Sequence, residues 1–328
     1  MGYEARCAPC SDPRPDEVLL SCRFYDPPNH MNRRDFLRAS GSLLVAAATM
    51  DHALALSGLK LPKAVNLGMA KEPAGATVLE RFKMIQDAGF QGVELNRPDA
   101  IPLDELLAAR QATGLKLANV ICSSHWKKPL THQDPATRRE GMRGLKLALK
   151  ETGELGGEHL LLVPGVVDAS VSYAEAYQRA QESIREAIPV AEEAKVKIAI
   201  ENVWNQFLLS PLECARFVDE LNSPWVGWHF DIGNVVTYGW PEQWVRILGK
   251  RILTLHIKEF SRKKQEAEGL RKGFQVELGE GDVGWPAVVA ALREISYQGW
   301  AVLEVPGGGA ERLRFLSERT DKILEQNA

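Results

Sequence analysis

Cysteine and surplus basic charge are both scarce in this sequence, and each shortage excludes a class of protein. Five cysteines in 328 residues are too few for a disulfide-stabilised scaffold, and three of them lie within the first thirty residues. Lysine and arginine number 40 against 43 aspartates and glutamates, so the chain lacks the basic excess that nucleic-acid binding requires. A hydrophobic content of 45% excludes an intrinsically disordered chain.

The sequence also lacks a long apolar run. Its apolar stretch GSLLVAAATM, residues 41–50, covers about ten residues, well short of the roughly 20 that span a bilayer. The stretch follows the segment NRRDFLRAS, which contains the pair Arg33-Arg34, and it precedes the small-residue site Ala53-Leu54-Ala55. This layout resembles a twin-arginine export signal, which is a receptor-read address and not a stable membrane anchor. The alternative is an amphipathic helix at the start of the mature protein.

These features divide the chain into three parts. Residues 1–30 show no pattern and are expected to be an unstructured extension. A start at Met31 would place the arginine pair at the usual distance from the terminus. Residues 31–57 are predicted to be the signal peptide, and residues 61–328 are predicted to be the catalytic domain. The signal predicts export to the periplasm, and a signal that does not operate would leave the protein in the cytoplasm.

From residue 61 onward, short apolar runs alternate with amphipathic stretches. The runs are almost continuously apolar, which is typical of parallel strands buried on both faces. The predicted strands are Ala64–Met69, Gly92–Leu95, Lys116–Cys122, His159–Val163, Lys197–Glu201, Val226–Asp231, Ile252–Ile257 and Ala301–Val305. The predicted helices are Ala76–Ala88, Pro102–Thr113, Pro135–Leu155, Tyr173–Glu193, Pro211–Leu221, Pro241–Leu248, Trp285–Ile295 and Ala310–Gln326.

Eight strands and eight helices in alternation over about 270 residues match one (β/α)8 TIM barrel in size and order. A doubly wound open sheet is the alternative fold. Such a sheet more often carries a glycine-rich phosphate-binding turn after its first strand, and the turn KEPAGA at residues 71–76 does not fit that motif. The sequence therefore favours an α/β protein with a single barrel domain.

Carboxylates and an imidazole occupy equivalent positions at the ends of four successive predicted strands. The last residues of strands five to eight include Glu201, Asp231, His256 and Glu304, respectively. The carboxyl ends of barrel strands face one shared pocket, and a carboxylate after an apolar run is costly to bury unless it is paired, protonated or bound to a metal. We therefore predict one metal site. Three carboxylates with one imidazole suit Mn²⁺ first, then Mg²⁺ or Co²⁺, with Zn²⁺ as a further alternative.

With this order on the strands, the sequence resembles the xylose-isomerase-like TIM barrels. Within them, the sugar phosphate isomerase/epimerase group, which includes the tagatose 3-epimerase and ribulose-phosphate 3-epimerase types, is the most similar. The stretches that carry the resemblance are ENVWNQFLLSP, FDIGN, LHIKEF and LGEGDVGWP, and the similarity covers essentially residues 61–328. The resemblance implies a small sugar as the substrate, and it is compatible with a homo-oligomer.

The resemblance also implies roles for the two glutamates. Glu201 and Glu304 are expected to be metal ligands and proton carriers: one removes the proton next to the ketose carbonyl, and the other returns a proton to the opposite face of a metal-stabilised enediolate. The sequence departs from the tagatose type at two positions, where Phe207 replaces a glutamate and Asn234 replaces a histidine. Asn234 is nevertheless expected to contact the substrate. Arg262 is retained and is expected to hold a sugar hydroxyl or a phosphate.

Further residues are candidates for the substrate site. Glu94 is taken as the end of the second strand and is expected to contact substrate at the barrel mouth. His125 and Trp126 follow the third strand, where the indole ring could stack on a sugar face or cap the core. Lys258, two residues after the predicted histidine ligand, is expected to contact substrate or an oxyanion. His229 should share the inward direction of Asp231, one layer deeper, as a hydrogen-bonded core residue.

Four functions are compatible with these residues to different degrees. The first is metal-dependent isomerisation or epimerisation of a ketose or keto-sugar, and the second is β-elimination from a 3-keto-glycoside at the same metal site. A hydrolytic endonuclease would need a trinuclear zinc cluster, for which seven histidines are too few. A non-catalytic sugar-binding protein would be expected to lack one of the two glutamates. Export would favour a free sugar or an oxidised glycoside over a sugar phosphate.

Overall fold

Eight parallel strands form a closed barrel in the computed structural model, which describes residues 59–71 and 75–325. The strands β1 to β8 are Lys63–Asn66, Gly92–Arg97, Lys116–Cys122, His159–Leu162, Lys197–Glu201, Val226–Asp231, Ile252–Ile257 and Ala301–Leu303. Each strand pairs with the next, and β8 also pairs in parallel with β1, which closes the barrel. The predicted extension at 1–30 and the predicted signal at 31–57 lie outside the described residues.

Helices connect successive strands. The helices α1 to α10 are Val78–Asp87, Leu103–Thr113, Pro135–Glu154, Tyr173–Ala194, Pro211–Leu221, Ile232–Val235, Pro241–Leu248, Arg262–Glu268, Trp285–Glu294 and Ala310–Leu324. The 3-10 helices are Leu67–Met69, Gly249–Arg251 and Leu270–Phe274. Across residues 59–71 and 75–325, a helix with both the length and the apolar character to cross a bilayer is not found. The predicted (β/α)8 barrel is confirmed.

Local sequence explains where the helices begin. The Thr77 side chain accepts a hydrogen bond from the Glu80 backbone N–H, and the Glu80 carboxylate accepts one from the Thr77 N–H, so two amides at the start of α1 are paired. Pro135, Pro211 and Pro241 stand at the first helical position of α3, α5 and α7. A proline there removes no helical hydrogen bond.

Four strand ends differ from the sequence prediction, and the smallest difference is at β4, which ends at Leu162 and not at Val163. Strand β1 ends at Asn66 because the Asn66 side chain accepts a hydrogen bond from the Gly68 N–H at 2.8 Å, which starts a 3-10 turn. Strand β2 continues to Arg97, since its polar last residues still pair with β3 as far as Cys122. Strand β8 ends at Leu303, so the predicted ligand on the last strand lies one residue beyond it.

Side-chain alternation places polar groups inside the upper barrel. Residues two apart on a strand share a face, so Val302 of β8 faces the same side as Glu304, the residue that follows β8. Val302 belongs to a small apolar cluster with Ala64 and Ala118, against which Trp300 packs. This cluster is separate from the main hydrophobic core between strands and helices. It therefore fills the barrel below the polar residues and leaves the upper end for a site.

Candidate metal centre

The four predicted ligands meet at the carboxyl ends of their strands. One ligand atom from each of Glu201, Asp231, His256 and Glu304 lies within 4.8 Å of the others. The Nδ1 atom of His256 lies 3.6 Å from Glu201 Oε1 and 3.4 Å from Glu304 Oε2. It lies 3.8 Å from Asp231 Oδ2. The structure thus brings together side chains from four strands that are distant in the sequence.

This group of side chains fits a divalent cation. The Nδ1 atom of His256 is buried and has no hydrogen-bond partner among the described residues, although three carboxylates surround it. Buried polar atoms in folded proteins nearly always have a partner, and a bound ion can take the place of a hydrogen bond. Carboxylate oxygens and one imidazole nitrogen form a donor set suited to Mn²⁺, Mg²⁺ or a related ion.

Glu94 orients the imidazole from behind. Its carboxylate accepts hydrogen bonds from Asn66 Nδ2 at 2.9 Å, from Asn119 Nδ2 at 2.8 Å and from His256 Nε2 at 3.0 Å. Since a carboxylate only accepts, Nε2 carries the proton and Nδ1 presents its lone pair to the ligand group. The predicted location of Glu94 at a strand end is wrong, because β2 runs three residues further and Glu94 is completely buried.

The ammonium group of Lys258 lies inside the same site. Its Nζ atom is 3.2 Å from Asp231 Oδ2 and makes a close ion pair with Glu304. It also lies 5.0 Å from the centre of the Phe274 ring. Burial alone would lower the pKa of Lys258, but the carboxylates of Asp231 and Glu304 outweigh burial and raise it well above its ordinary range. The Lys258 side chain thus contacts two of the predicted ligands, and its expected contact with a substrate or an oxyanion stays a prediction.

The two glutamates have opposite pKa shifts. Burial raises the pKa of Glu201 to about 7; His256 opposes this shift, and the carboxylates of Glu304 and Asp231 add to it. Burial acts in the same direction on Glu304, but His256 and Lys258 outweigh it and hold its pKa well below the usual range. The two also differ in exposure, since the Glu304 side chain is 40% exposed and the Glu201 side chain only 8%.

His229 differs from its predicted role as a fully hydrogen-bonded core residue. It is completely buried, and its Nδ1 atom makes a 2.5 Å hydrogen bond with Thr254 Oγ1. Its Nε2 atom has no partner within the described part of the chain. A ligand atom of His229 also lies within 4.8 Å of ligand atoms of Glu201 and His256. These three residues form a second cluster consistent with a divalent metal.

Asn234 supports one of the ligand loops. Its backbone N–H donates to Asp231 Oδ1 at 2.8 Å, and its side-chain Nδ2 donates to the Asn202 carbonyl at 3.0 Å. Asn202, which sequence reasoning did not single out, in turn accepts from the Asp231 N–H and donates to the Asp231 carbonyl. Its place directly after Glu201 was the only signal for this role. Both asparagines hold Asp231 in place.

Arg262, the first residue of α8, contacts the loop that follows β6. Its guanidinium donates to the carbonyls of Val236 at 2.8 Å and Gly239 at 2.7 Å, and it lies 5.3 Å from the centre of the Trp240 ring. These contacts connect the loop after β7 to the loop after β6. Phe207, which replaces a glutamate of the tagatose type, is buried in an aromatic cluster with side chains of α4 and α5.

His125 and Trp126 lie side by side after β3. The His125 ring is 5% exposed, and its Nδ1 accepts a hydrogen bond from the Val163 N–H at 3.1 Å. Trp126 is 48% exposed and meets the His125 ring edge to face, with ring centres 5.6 Å apart. The exposed indole face is available for contact with a ligand, and its predicted contact with a sugar stays a prediction.

Burial of neutral His125 predicts a loss of stability in acid. Burial lowers the pKa of His125 to about 4, whereas the unfolded chain takes up this proton near pH 6.5. The unfolded state therefore binds more protons between these values, and the free energy of unfolding falls as the pH is lowered. Between pH 7 and pH 5 the contribution is about 2 kcal/mol.

The measurement is chemical denaturation with a chelator present at both pH values. The variant His125→Asn keeps an acceptor near the Val163 N–H and removes the titrating ring. We expect the wild type to lose about 2 kcal/mol more than the variant between pH 7 and pH 5. An identical pH dependence in the two proteins would contradict this account of His125.

The hydrogen bond between Glu94 and the predicted ligand His256 predicts that replacing Glu94 lowers the metal affinity, although Glu94 is not itself one of the predicted ligands. Glu94→Gln keeps the shape of the side chain but removes the charge that supports the His256 imidazole. Partners of this kind contribute about 10- to 100-fold to metal affinity, so we expect calorimetric Mn²⁺ affinity to fall by at least about 10-fold. The exposed Glu105→Gln on α2 is the control. Equal Mn²⁺ affinity in both variants would remove Glu94 from this role.

The fold and the site together define a TIM barrel with a cluster of potential cation ligands at the carboxyl ends of its strands. The chain belongs to the Xylose isomerase-like TIM barrel family, whose sequence profile matches residues 82–325. It is 26% identical over 265 residues to the L-ribulose-5-phosphate 3-epimerase UlaE of Salmonella paratyphi C (strain RKS4594), a match that covers 76% of this chain and 90% of that protein.

Solved structures agree with this fold. The D-allulose 3-epimerase from Methylomonas sp. superposes with a TM-score of 0.64 at 20% identity, covering 81% of this chain and 99% of that one. The 3-keto-D-glucoside 4-epimerase YcjR from E. coli gives a TM-score of 0.64 at 16% identity, covering 80% of this chain and 99% of that one. These relatives are sugar epimerases, and epimerases are isomerases.

Proposed function

We propose that this protein is a metal-dependent sugar epimerase that inverts a carbon next to a ketone. The observation that carries the proposal is the position of Glu201 and Glu304 around one shared space. They extend from β5 and from the end of β8, and each has an oxygen within 3.6 Å of the same His256 nitrogen. A ketose held between them has one carboxylate on each face, which inversion at a single carbon requires.

The residues that would hold the cation are Glu201, Asp231, His256 and Glu304. We propose Mn²⁺, with Mg²⁺, Co²⁺ or Zn²⁺ as alternatives. When bound, the cation withdraws electron density from the substrate carbonyl and acidifies the neighbouring C–H. Glu94 fixes the ring of His256, and Asn202 fixes the backbone of Asp231, so the ligand geometry is set by neighbours that do not touch the substrate.

The two glutamates transfer the proton in sequence. One carboxylate takes the proton from the carbon next to the carbonyl, and the electron pair of that C–H bond forms the enediolate, with its charge on the former carbonyl oxygen. The other glutamate donates a proton to the opposite face of the same carbon, and the carbonyl is restored. The ammonium of Lys258, which contacts Glu304, is placed to donate a hydrogen bond to a substrate oxygen.

The names of the relatives support this reaction class. L-ribulose 5-phosphate and D-allulose are ketoses acted on by 3-epimerases, and a 3-keto-D-glucoside is acted on by a 4-epimerase. In each case, the carbon that is inverted lies next to a ketone. We therefore propose a ketose or a keto-sugar as the substrate. We also propose that Arg262 and Trp126 contact the remaining hydroxyls or the phosphate of this substrate.

A solvent-exchange screen tests the proposal. The protein loaded with Mn²⁺ is incubated in deuterium oxide with free ketoses, with L-ribulose 5-phosphate and with a 3-keto-glycoside, and the chelated protein is the control. We expect deuterium at one carbon next to the ketone and an inverted product for at least one substrate class. Release of the aglycone from the 3-keto-glycoside would support β-elimination instead. Absence of exchange in every substrate would reject both reactions.

We also propose that residues 31–57 direct export by the twin-arginine pathway. The support is the sequence pattern around Arg33-Arg34. Cell fractionation of the full chain should give a shortened protein in the periplasm, and replacing both arginines with lysine should retain the full-length chain in the cytoplasm. Equal distribution of the two proteins would reject the signal.

A further inference from the structure

Two buried imidazole nitrogens lack hydrogen-bond partners in the described residues. Four buried side-chain nitrogen or oxygen atoms have this property there, and two of them are His229 Nε2 and His256 Nδ1. The ligand group at the barrel mouth accounts for the second of these atoms but not for the first, because His229 is not a member of that four-residue group. Since a buried nitrogen without a partner is rare, His229 Nε2 indicates a further ligand deeper in the barrel.

The neighbourhood of His229 is formed by three adjacent strands. On β6 it stands opposite Glu201 of β5 and opposite Thr254 of β7 in the strand register. Its ring meets the His256 ring nearly at right angles, with centres 4.1 Å apart. A ligand atom from each of Glu201, His229 and His256 lies within 4.8 Å of the other two, and all three residues are buried.

Thr254 determines which nitrogen of His229 is free. The threonine hydroxyl shares a hydrogen bond with Nδ1, so Nε2 is the nitrogen left for a ligand. When Nδ1–H donates to Thr254 Oγ1, the lone pair of the neutral ring lies on Nε2. This arrangement repeats the one at His256, where Glu94 accepts from one ring nitrogen and leaves the other for the cluster. Paired second nitrogens of this kind are typical of metal-binding histidines.

We propose that Glu201, His229 and His256 form a second cation position, deeper in the barrel, that prefers Zn²⁺-like ions over Mn²⁺. Two imidazoles and one carboxylate are a ligand set that proteins use for Zn²⁺ with a fourth position open. Imidazole nitrogen suits Zn²⁺, whereas carboxylate oxygen suits Mn²⁺ and Mg²⁺. The four-residue group at the barrel mouth, Glu201, Asp231, His256 and Glu304, offers one nitrogen and three carboxylates. The two positions therefore differ in the ions that they select.

One ion at a time can use His256. Its Nε2 atom is bound to Glu94, so its only free lone pair is on Nδ1, which both positions require. An ion in the deeper position therefore removes His256 from the mouth group. Asp231 and Glu304 are then left with Lys258, which already contacts both. Zinc in the deeper position excludes manganese from the mouth and opposes activation by it.

Ligand atoms about 2.0–2.1 Å from a tetrahedral zinc ion lie about 3.4 Å apart. The ligand atoms of the cluster lie within 4.8 Å of one another, so side-chain movements of about 1 Å would bring them to the spacing of a tetrahedral zinc site.

Paired metal titrations test the proposal on the full-length protein after metal removal. His229→Asn keeps a polar group near Thr254 and removes the Nε2 position. We expect its Zn²⁺ affinity to fall by at least about 10-fold while its Mn²⁺ affinity changes by less than about 3-fold. Asp231→Asn should show the reverse pattern. Unchanged Zn²⁺ affinity in His229→Asn, or equal losses for both ions, would overturn the proposal.

Anomalous diffraction gives a second readout that needs no variant. Crystals of the wild type soaked in Zn²⁺ should show the ion bound to His229 Nε2, and crystals soaked in Mn²⁺ should show it beside Asp231 and Glu304. Zinc found at the mouth alone would overturn the deeper position even if His229→Asn fails to fold. The Mn²⁺ titration and the solvent-exchange screen report on the proposed epimerase separately.

Discussion

Replacing Glu304 with glutamine is expected to abolish exchange between solvent and substrate. A proton carrier contributes about 10²- to 10⁴-fold to a rate, and we expect the Mn²⁺-loaded variant to lose at least about 10³-fold of the wild-type exchange rate. Glu304 is 40% exposed, while the side chains of Glu201, Asp231 and His256 are at most 8% exposed. It is therefore the member of the group that a substrate meets first.

The measurement is the rate of deuterium incorporation by mass spectrometry, at a saturating Mn²⁺ concentration so that weaker metal binding is compensated. Glu311→Gln, at the exposed start of α10, is the matched control and should exchange at the wild-type rate. Circular dichroism checks that the barrel of Glu304→Gln is folded. A variant that retains near wild-type exchange would refute the two-carboxylate mechanism.

Replacing Glu259 with leucine is expected to cause a large decrease in the free energy of unfolding. The carboxylate is buried and accepts hydrogen bonds from Gly279 N–H and Trp285 Nε1, each at 2.8 Å. It also accepts from the N–H groups of Phe260 and Val283. A leucine accepts nothing, and each buried donor left unpaired costs about 1–3 kcal/mol. We expect the free energy of unfolding to fall by at least about 4 kcal/mol.

Urea denaturation in a chelator measures this loss. Glu266→Leu places the same change on the exposed surface of α8 and should alter the free energy of unfolding by less than about 0.5 kcal/mol. A loss of that small size in Glu259→Leu would mean that other groups satisfy the four donors.

The arrangement of the barrel could be predicted from the sequence because eight largely apolar runs alternate with amphipathic stretches. Strands β3, β5, β6 and β7 have the predicted bounds. The end of β2 could not be predicted, since its last residues are polar and are held in the ladder by their pairing with β3. The short helices α6 and α8 could not be predicted either, because four and seven residues are too few to show a helical period in hydrophobicity.

Part of the site could also be predicted. Glu201, Asp231, His256 and Glu304 stand at equivalent strand ends, and the structure brings them together. The role of Glu94 could not be predicted, because it depends on a hydrogen bond to a residue 162 positions away. The loop contacts of Arg262 could not be predicted either, because its guanidinium donates to two backbone carbonyls of the loop after β6. Its contact with a sugar hydroxyl or a phosphate, which the resemblance implied, stays a prediction.

The sequence by itself determined the barrel and the four polar side chains that meet at its open end, because buried parallel strands are largely apolar and polar residues near their carboxyl ends face one shared pocket. Only the tertiary structure decided which polar atoms there are paired and which are free. Glu94 takes one nitrogen of His256, and Thr254 takes one of His229. Hydrogen bonds of this kind join strands that are far apart in the chain, and neither periodicity nor local spacing encodes them.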